Sequence, residues 1–487
     1  MKRGRLKTII LILLILNCFF LTYQIWFRDN IHGYQFSLIN EDHPIMRKLT
    51  SFFGKNKKNA VQGDYKNMFR PMRLVVNRGG GNRAIYEMQD ERYPELFMQC
   101  ETYLKQFFQS VNTTYITLTE EEWKGLSRSR SILIDYDAGL SGSIIGQLYE
   151  VPASQIYDQL QRIREIILLP GDNITKDVSV AVRDYQSGMV YRYFLSIDKG
   201  GLENLIEQYA PLDKNQQTTF SFDQKYNEQS PYENVTISPF VYTGPEIPSG
   251  YELKASNPLL MKDEDILDIY KIRDSIAKCF EYNTNTIQKY RDKNDAIVFV
   301  DTYSTLKVNK NGVLEYTATD EKRGLKLTAS GANNTECAVQ LYRLIEGIYQ
   351  SIGLNVPDFK MMNDLEKNAS ESQTFQFDRL QNGFLVTTNI NNADGTPLLQ
   401  HFAEATVKNG KLTSFKINMK QYEWTDTSQT GITVMEAIEL FSRQKNAGEN
   451  TLWIDGAYWG YEDDGLTEQL PLCWNLKTDG SYHAAKH

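Results

Sequence analysis

The longest apolar run in the chain is Thr8–Phe27, TIILILLILNCFFLTYQIWF, and it carries no charge. Its twenty residues, at about 1.5 Å of helical rise each, match the ~30 Å hydrocarbon core of a bilayer. Lys2, Arg3, Arg5 and Lys7 crowd the preceding segment, so residues 1–7 are expected to form a cytoplasmic tail, with residues 28–487 outside the cell membrane. Tyr23 and Trp26 fall where an aromatic belt would meet the outer interface. A cleaved signal peptide would have a shorter core ending at small residues, whereas Phe19, Phe20, Leu21 and Ile25 prolong this one. Asn17 also precedes Cys18 where a lipid-attachment signal would need a small residue, so the segment reads as an uncleaved transmembrane helix. Ile10, Leu13, Asn17, Leu21 and Gln24 share one stripe of that helix. An amide at mid-membrane depth predicts contact with a partner helix, although a lone anchor tolerates one Asn at small cost.

Beyond a polar stalk at 28–66, the pattern becomes that of a mixed α+β exterior. Met72–Val76 reads as a strand that turns at Gly79-Gly80-Gly81 into Arg83–Tyr86. Leu96, Cys100, Tyr103, Leu104 and Phe107 recur at helical spacing over 93–110. Ser131–Tyr136 reads as a strand, and Val178, Val180 and Val182 alternate before a turn at Gln186-Ser187-Gly188. Between them, Ile156, Leu160, Ile163 and Ile167 predict a helix opened by Pro152 and stopped at Pro170-Gly171. The polar stretch 211–232 divides an N-terminal domain (67–220) from the rest. A helix near 263–280 carries Ile269, Ile272, Ile276 and Cys279 on one face.

The last third contains an internal echo. An Asn311-Gly312 hairpin precedes a helix burying Ala338, Leu341, Tyr342, Ile345 and Ile348, which Gly353 ends. An Asn409-Gly410 hairpin precedes a second helix, opened by the capping box Thr433-x-x-Glu436 and burying Val434, Ile438 and Phe441. Asn382-Gly383, Asp394-Gly395 and Asp479-Gly480 mark further turns. The expected fold class is therefore α+β: antiparallel sheets, each packed with a helix, in related middle (230–365) and C-terminal (370–487) domains.

Composition narrows the function. Without Lys2, Arg3, Arg5 and Lys7, 49 basic residues face 61 acidic ones, a net charge near −12 that argues against nucleic acid or anionic lipid as the main partner. Cys100, Cys279, Cys337 and Cys473 are widely spaced and read as free thiols rather than a disulfide scaffold. His32, His43, His401, His483 and His487 form no metal-ligand spacing, and no nucleophile motif is present, so neither cofactor nor enzymatic activity is expected. Asp135-x-Asp137 and Asp463-Asp464 are ordinary acid pairs in so acidic a chain. Trp453, Tyr458, Trp459 and Tyr461 leave an alternative open: an exported module that binds wall polymer or peptide by stacking.

Lys7-Thr8, the apolar helix, Leu21-Thr22 and Trp26 together resemble the anchor of the YycH family. Phe69-Arg70-Pro71 with the strand Arg73–Val76 is similar to the start of that family's exterior. The helix Thr433–Phe441, Tyr458-Trp459-Gly460-Tyr461 and Pro471-Leu472-Cys473-Trp474 resemble the last domain of YycH and of its sister YycI. The closing segment Ser481–His487 is shorter than the closing strand usual in YycI-like chains. The resemblance implies a Firmicute-type accessory protein of the cell-wall sensor kinase WalK (YycG). It implies contact with that kinase and with YycI through the membrane helix, and no catalysis.

Overall fold

All ten residues of Ser131–Leu140 are buried in one strand, and the first part of the structure is laid out around it. The computed structural model describes residues 65–485 apart from 81, 111–113, 152–153, 172–176, 211–219, 224–234, 239, 245–246, 260–265, 294–295, 330–332, 366–371, 393 and 445–451. The membrane helix and residues 28–64 of the stalk expected from the sequence lie outside the described residues, among which no helix is long and apolar enough to cross a membrane. Residues 64–487 form one compact unit.

The first sheet comprises β1 (Arg73–Gly79), β2 (Asn82–Glu87), β3 (Tyr115–Leu118), β4 (Ser131–Leu140), β5 (Ile163–Leu169), β6 (Asp177–Asp184) and β7 (Val190–Asp198). They lie in the order β2-β1-β4-β5-β6-β7-β3, with every neighbour antiparallel. Alternation sends Leu74, Val76, Ile132, Ile134, Val180 and Val182 to one face. There they meet Leu96, Cys100, Leu104 and Phe107 of the helix Tyr93–Gln109, and Leu202 and Ile206 of the helix Gly200–Tyr209. Full burial of each Leu or Ile contributes about 1.5–3 kcal/mol. The opposite face packs Val75, Leu133, Ile167 and Ala181 against Trp123 and Phe240. Trp123 is delivered by the helix Glu120–Arg128, which starts with a reciprocal Thr119–Glu122 capping box.

One expectation is corrected here. The run after Pro152 is not a helix: a short 3-10 turn, Gln155–Asp158, leads into strand β5. Ile163, Ile166 and Ile167 belong to a central strand buried on both faces, where apolar residues follow one another without clean alternation. Three isoleucines in five positions favour the pleated backbone over a helix, because branching at Cβ restricts side-chain rotation against the preceding helical turn.

The second sheet has fourteen strands. Its main path runs Gln288–Arg291, Ile297–Val300, Ser304–Val308, Val313–Ala318, Lys411–Asn418, Ala403–Lys408, Ser372–Gln381, Phe384–Thr388, Leu452–Asp463, Cys473–Thr478 and Ser481–Ala485. Strands from the stretches expected as middle and C-terminal domains thus share one sheet, joined where Val313–Ala318 pairs antiparallel with Lys411–Asn418. The closing segment Ser481–Ala485 pairs with Cys473–Thr478. The helix Asn334–Ser351 covers one part of the sheet with Ala338, Leu341, Ile345 and Ile348. The helix Val434–Gln444 covers another with Val434, Ile438 and Phe441, and Thr433 and Glu436 form the expected capping box. Asn382-Gly383, Asn409-Gly410 and Asp479-Gly480 each place two successive residues at positive φ, as a tight type I′ hairpin requires.

The Asn382-Gly383 turn also leans on the turn that follows β2. A Cβ on Gly383 would lie 2.4 Å from the backbone of Met88 and Gln89, whereas one on Gly480 would meet nothing within 4 Å. Both glycines are left-handed. Gly480→Ala should therefore cost about 1–2 kcal/mol of stability, the strain of that backbone conformation. Gly383→Ala should cost clearly more, because it also separates the turn from Met88. Urea denaturation of the two variants side by side checks this, and equal losses would disprove the docking of that turn.

Candidate functional site at the junction of the two sheets

Strand β4 begins among apolar neighbours and ends among charges. On the face that carries Leu133, the next two alternate positions are Asp135 and Asp137, each about 5 % exposed. Buried carboxylates need partners, since an isolated buried charge is costly. Asp135 accepts from Arg73 Nε on the adjacent strand at 2.6 Å and from the Asp137 amide at 2.9 Å. Arg73 donates further to the Phe240 carbonyl at 2.9 Å and lies under the Tyr458 ring, 5.3 Å from its centroid.

Asp137 takes its partners from the far end of the chain. Tyr458 donates to Oδ1 at 2.9 Å, Lys477 Nζ donates to Oδ2 at 2.9 Å, and the Tyr482 hydroxyl also donates to Oδ2. Lys477 Nζ reaches the Asp137 carbonyl as well, at 3.2 Å. Burial would raise the Asp137 pKa, but Lys477 and the Tyr482 hydroxyl hold it below the ordinary value. Tyr458 and Tyr482 are pushed well above theirs, by burial first and by the nearby aspartates next. Three strands of the second sheet region are thereby fixed to β4.

Further contacts extend the junction. The Gly139 amide donates to Asp364 at 2.7 Å, and Leu365 exchanges backbone bonds with Gly139 and Ser141. Arg164 pairs with Asp455. Lys360, 1 % exposed, donates to the Arg70 carbonyl. Burial depresses the Lys360 ammonium to about 7, with Asp137 pulling the other way. Glu165, opposite Asp135 in the next strand, is raised to about 7 by burial and by Asp135, and its Oε1 accepts from Tyr185 at 2.7 Å. The charged groups are walled in and fasten the first sheet to strands of the second.

The residues singled out in the membrane segment, Ile10, Leu13, Asn17, Leu21 and Gln24, lie outside the described residues. Of the four aromatics on which the alternative wall-polymer reading rests, Tyr458 and Tyr461 are buried, and Trp459 stacks on Trp474 with centroids 3.4 Å apart. Only Trp453 of that group is exposed, at 47 %. A platform of several rings is therefore not assembled there. His401 is buried 3.2 Å from Asp378, which raises its pKa against the effect of burial. The four described cysteines are free. An open groove of about 260 Å³ between Lys66, Met98, Glu101, Lys105 and Tyr149 is small for a ligand site and mixes charges of both signs.

No known family profile matches the chain, and no curated protein sequence matches it. Among solved structures, the crystal structure of YycH from Bacillus subtilis is similar, with a TM-score of 0.55 over 87 % of this chain and 97 % of that one, at 11 % identity. The chain has a YycH-like fold, in line with the resemblance carried by its two ends.

Two outcomes follow from the junction. Lys477→Met leaves the buried Asp137 carboxylate without its cation and should cost about 3–5 kcal/mol in urea denaturation. Adding Asp137→Asn should restore part of that loss, and additive losses would contradict the pairing. Lys360 gives a pH signature: its folded pKa lies near 7 against an unfolded 10.5. Between those values the unfolded chain binds more protons, so this group makes stability rise with pH. Below about pH 7 its full cost is present, so Lys360→Met should stabilise most there and progressively less toward pH 10. Glu165 acts with the opposite sign: from 4.5 to about 7 the folded state holds the extra proton, and stability falls as pH rises.

Proposed function

We propose that this chain is a membrane-anchored, extracytoplasmic regulator of an essential cell-wall sensor kinase of the WalK (YycG) type in a Firmicute-like bacterium, acting with a YycI-like partner. The observation that carries the reading is the YycH-like fold of the exterior. The positively flanked apolar run Thr8–Phe27 and the Asn17 stripe support it from the sequence. On this reading the protein performs no chemistry. It shifts the kinase between states through differential contacts, made by the membrane helix and by an exterior whose sheets are fastened to each other. The aromatic positions give less support to the wall-polymer alternative, because Tyr458, Trp459 and Tyr461 are taken up in packing.

The membrane helix provides the test. Asn17→Leu keeps the anchor's length and raises its hydrophobicity, while removing an amide that only another helix can satisfy at that depth. Co-purification of the kinase and the YycI-like protein from membranes should fall about five-fold, the equivalent of one interhelical bond of about 1 kcal/mol. Expression of wall-hydrolase genes should change at constant protein level. Replacing 8–27 by an unrelated anchor should reduce co-purification further. Full partner binding and normal output in both variants would reduce the helix to a tether and contradict this mechanism.

A further inference from the structure

Three strands of the first sheet set three ionisable side chains in one buried row. Arg73 on β1 lies opposite Asp135 on β4, and Asp135 lies opposite Glu165 on β5. Residues so paired have Cβ atoms about 4.5–5.5 Å apart, where like charges repel. The guanidinium in the row is already committed, Arg73 Nε to Asp135 and Nη2 to the Phe240 carbonyl. Asp135 has a second donor in the Asp137 amide. Glu165 has the Tyr185 hydroxyl at Oε1, while its Oε2 is buried with no hydrogen-bond partner among the described residues. Ionised, Glu165 would be a second buried carboxylate beside Asp135, and a proton on Oε2 removes that repulsion. The rise of this carboxyl to about 7, from burial first and Asp135 next, has the same origin.

Two further cations act on Glu165 from beside Tyr185. The guanidinium groups of Arg164 and Arg183 lie 5.1 and 4.8 Å from the centroid of the Tyr185 ring. Arg183 is tied to Glu120, at the start of the helix Glu120–Arg128, at 3.0 Å. Arg164 lies where the pairing of β5 with β6 shifts register between Ile163 and Ile166, an irregularity of the kind that re-aims a side chain. Its guanidinium reaches strands beyond the first sheet: Nη1 pairs with Asp455, and Nη2 is 3.7 Å from Asp364. In both arginines Nε is buried and has no hydrogen-bond partner among the described residues. Donors for an ionised Glu165 are thus close by and unfilled.

We propose that Glu165 is a proton-operated latch: protonated, it leaves Arg164 to Asp455 and so holds β5 against the strand Leu452–Asp463; ionised, it draws Arg164 to itself and frees Asp455. One proton passes from Oε2 to solvent, and Arg164 exchanges one carboxylate for another. Asp137 keeps Tyr458, Lys477 and Tyr482, so the release is confined to one margin of the junction. The folded carboxyl titrates near 7 against 4.5 when free, so the proton's contribution is complete below about pH 4.5 and is lost as pH rises through 7. Other groups at the junction titrate too, Lys360 with the opposite sign and His401, raised by Asp378, with the same one. The test therefore separates Glu165 from both.

The experiment is hydrogen exchange of the full chain, read by mass spectrometry at about pH 5.5 and about pH 8 and corrected for the intrinsic effect of pH on exchange. In the wild type, amides around Asp455 should lose roughly ten-fold in protection at the higher pH, within what linkage permits, while those of Lys411–Asn418 hold. Glu165→Gln is neutral at every pH and should stay protected at both. Arg164→Met has no guanidinium to hand over, so it should be loose at both and indifferent to pH. That variant keeps the test decisive should Gln disturb the packing of β5. Unchanged wild-type protection around Asp455, a pH response retained in Glu165→Gln or in Arg164→Met, or an equal loss in Lys411–Asn418 would each overturn the proposal.

Discussion

A single buried carboxylate organises this molecule. Asp137 has a left-handed backbone, with φ near 64°, a conformation that Asp tolerates better than most residues because its short side chain hydrogen-bonds locally. Its amide is taken by Asp135, and its carboxylate points into the protein, where water cannot reach it. Left unpaired, that charge would cost several kcal/mol. The neutralising groups come from strands more than 300 residues later in the chain, Tyr458, Lys477 and Tyr482. The two sheets cannot part without stranding charge on both sides.

The same device secures the other end of the long strand Leu452–Asp463. Asp463 is fully buried and accepts from Lys420 at 2.8 Å, Tyr422 at 2.7 Å and Asn418 at 2.8 Å. The strand is thus held by hydroxyls and lysines at Tyr458 and at Asp463, with apolar packing between. Such pairs specify geometry more than they stabilise: hydrophobic replacements of a whole network are often neutral, while removal of one partner is not. On the proposed function, a fixed geometry is what would carry a change at one face to another.

Much of the architecture was legible in the sequence because it rests on local chemistry. Asn-Gly and Asp-Gly pairs gave the hairpins, and the Thr433–Glu436 spacing gave a helix start. The error at β5 arose where burial on both faces erased the alternation that separates strand from helix. The junction was not legible. Asp135-x-Asp137 and Asp463-Asp464 read as ordinary acid pairs in an acidic chain, yet three of those four residues are buried anchors. The available signal was context: SILIDYDAGL places two carboxylates on one face of an apolar strand, and CWNLKT sets a lysine in another. Which groups meet depends on long-range pairing that no local pattern encodes.

The central claim is that charge pairing at Asp137 makes the first sheet and the C-terminal strands one cooperative body. Native-state amide hydrogen exchange on the full chain tests it directly, comparing β4–β6 with Leu452–Asp463 and Cys473–Thr478 under increasing denaturant. The account predicts that the most protected amides of both groups open with the same free energy and the same denaturant dependence, as parts of one unit. Two separate opening free energies, with the C-terminal strands exchanging while β4 stays protected, would contradict it.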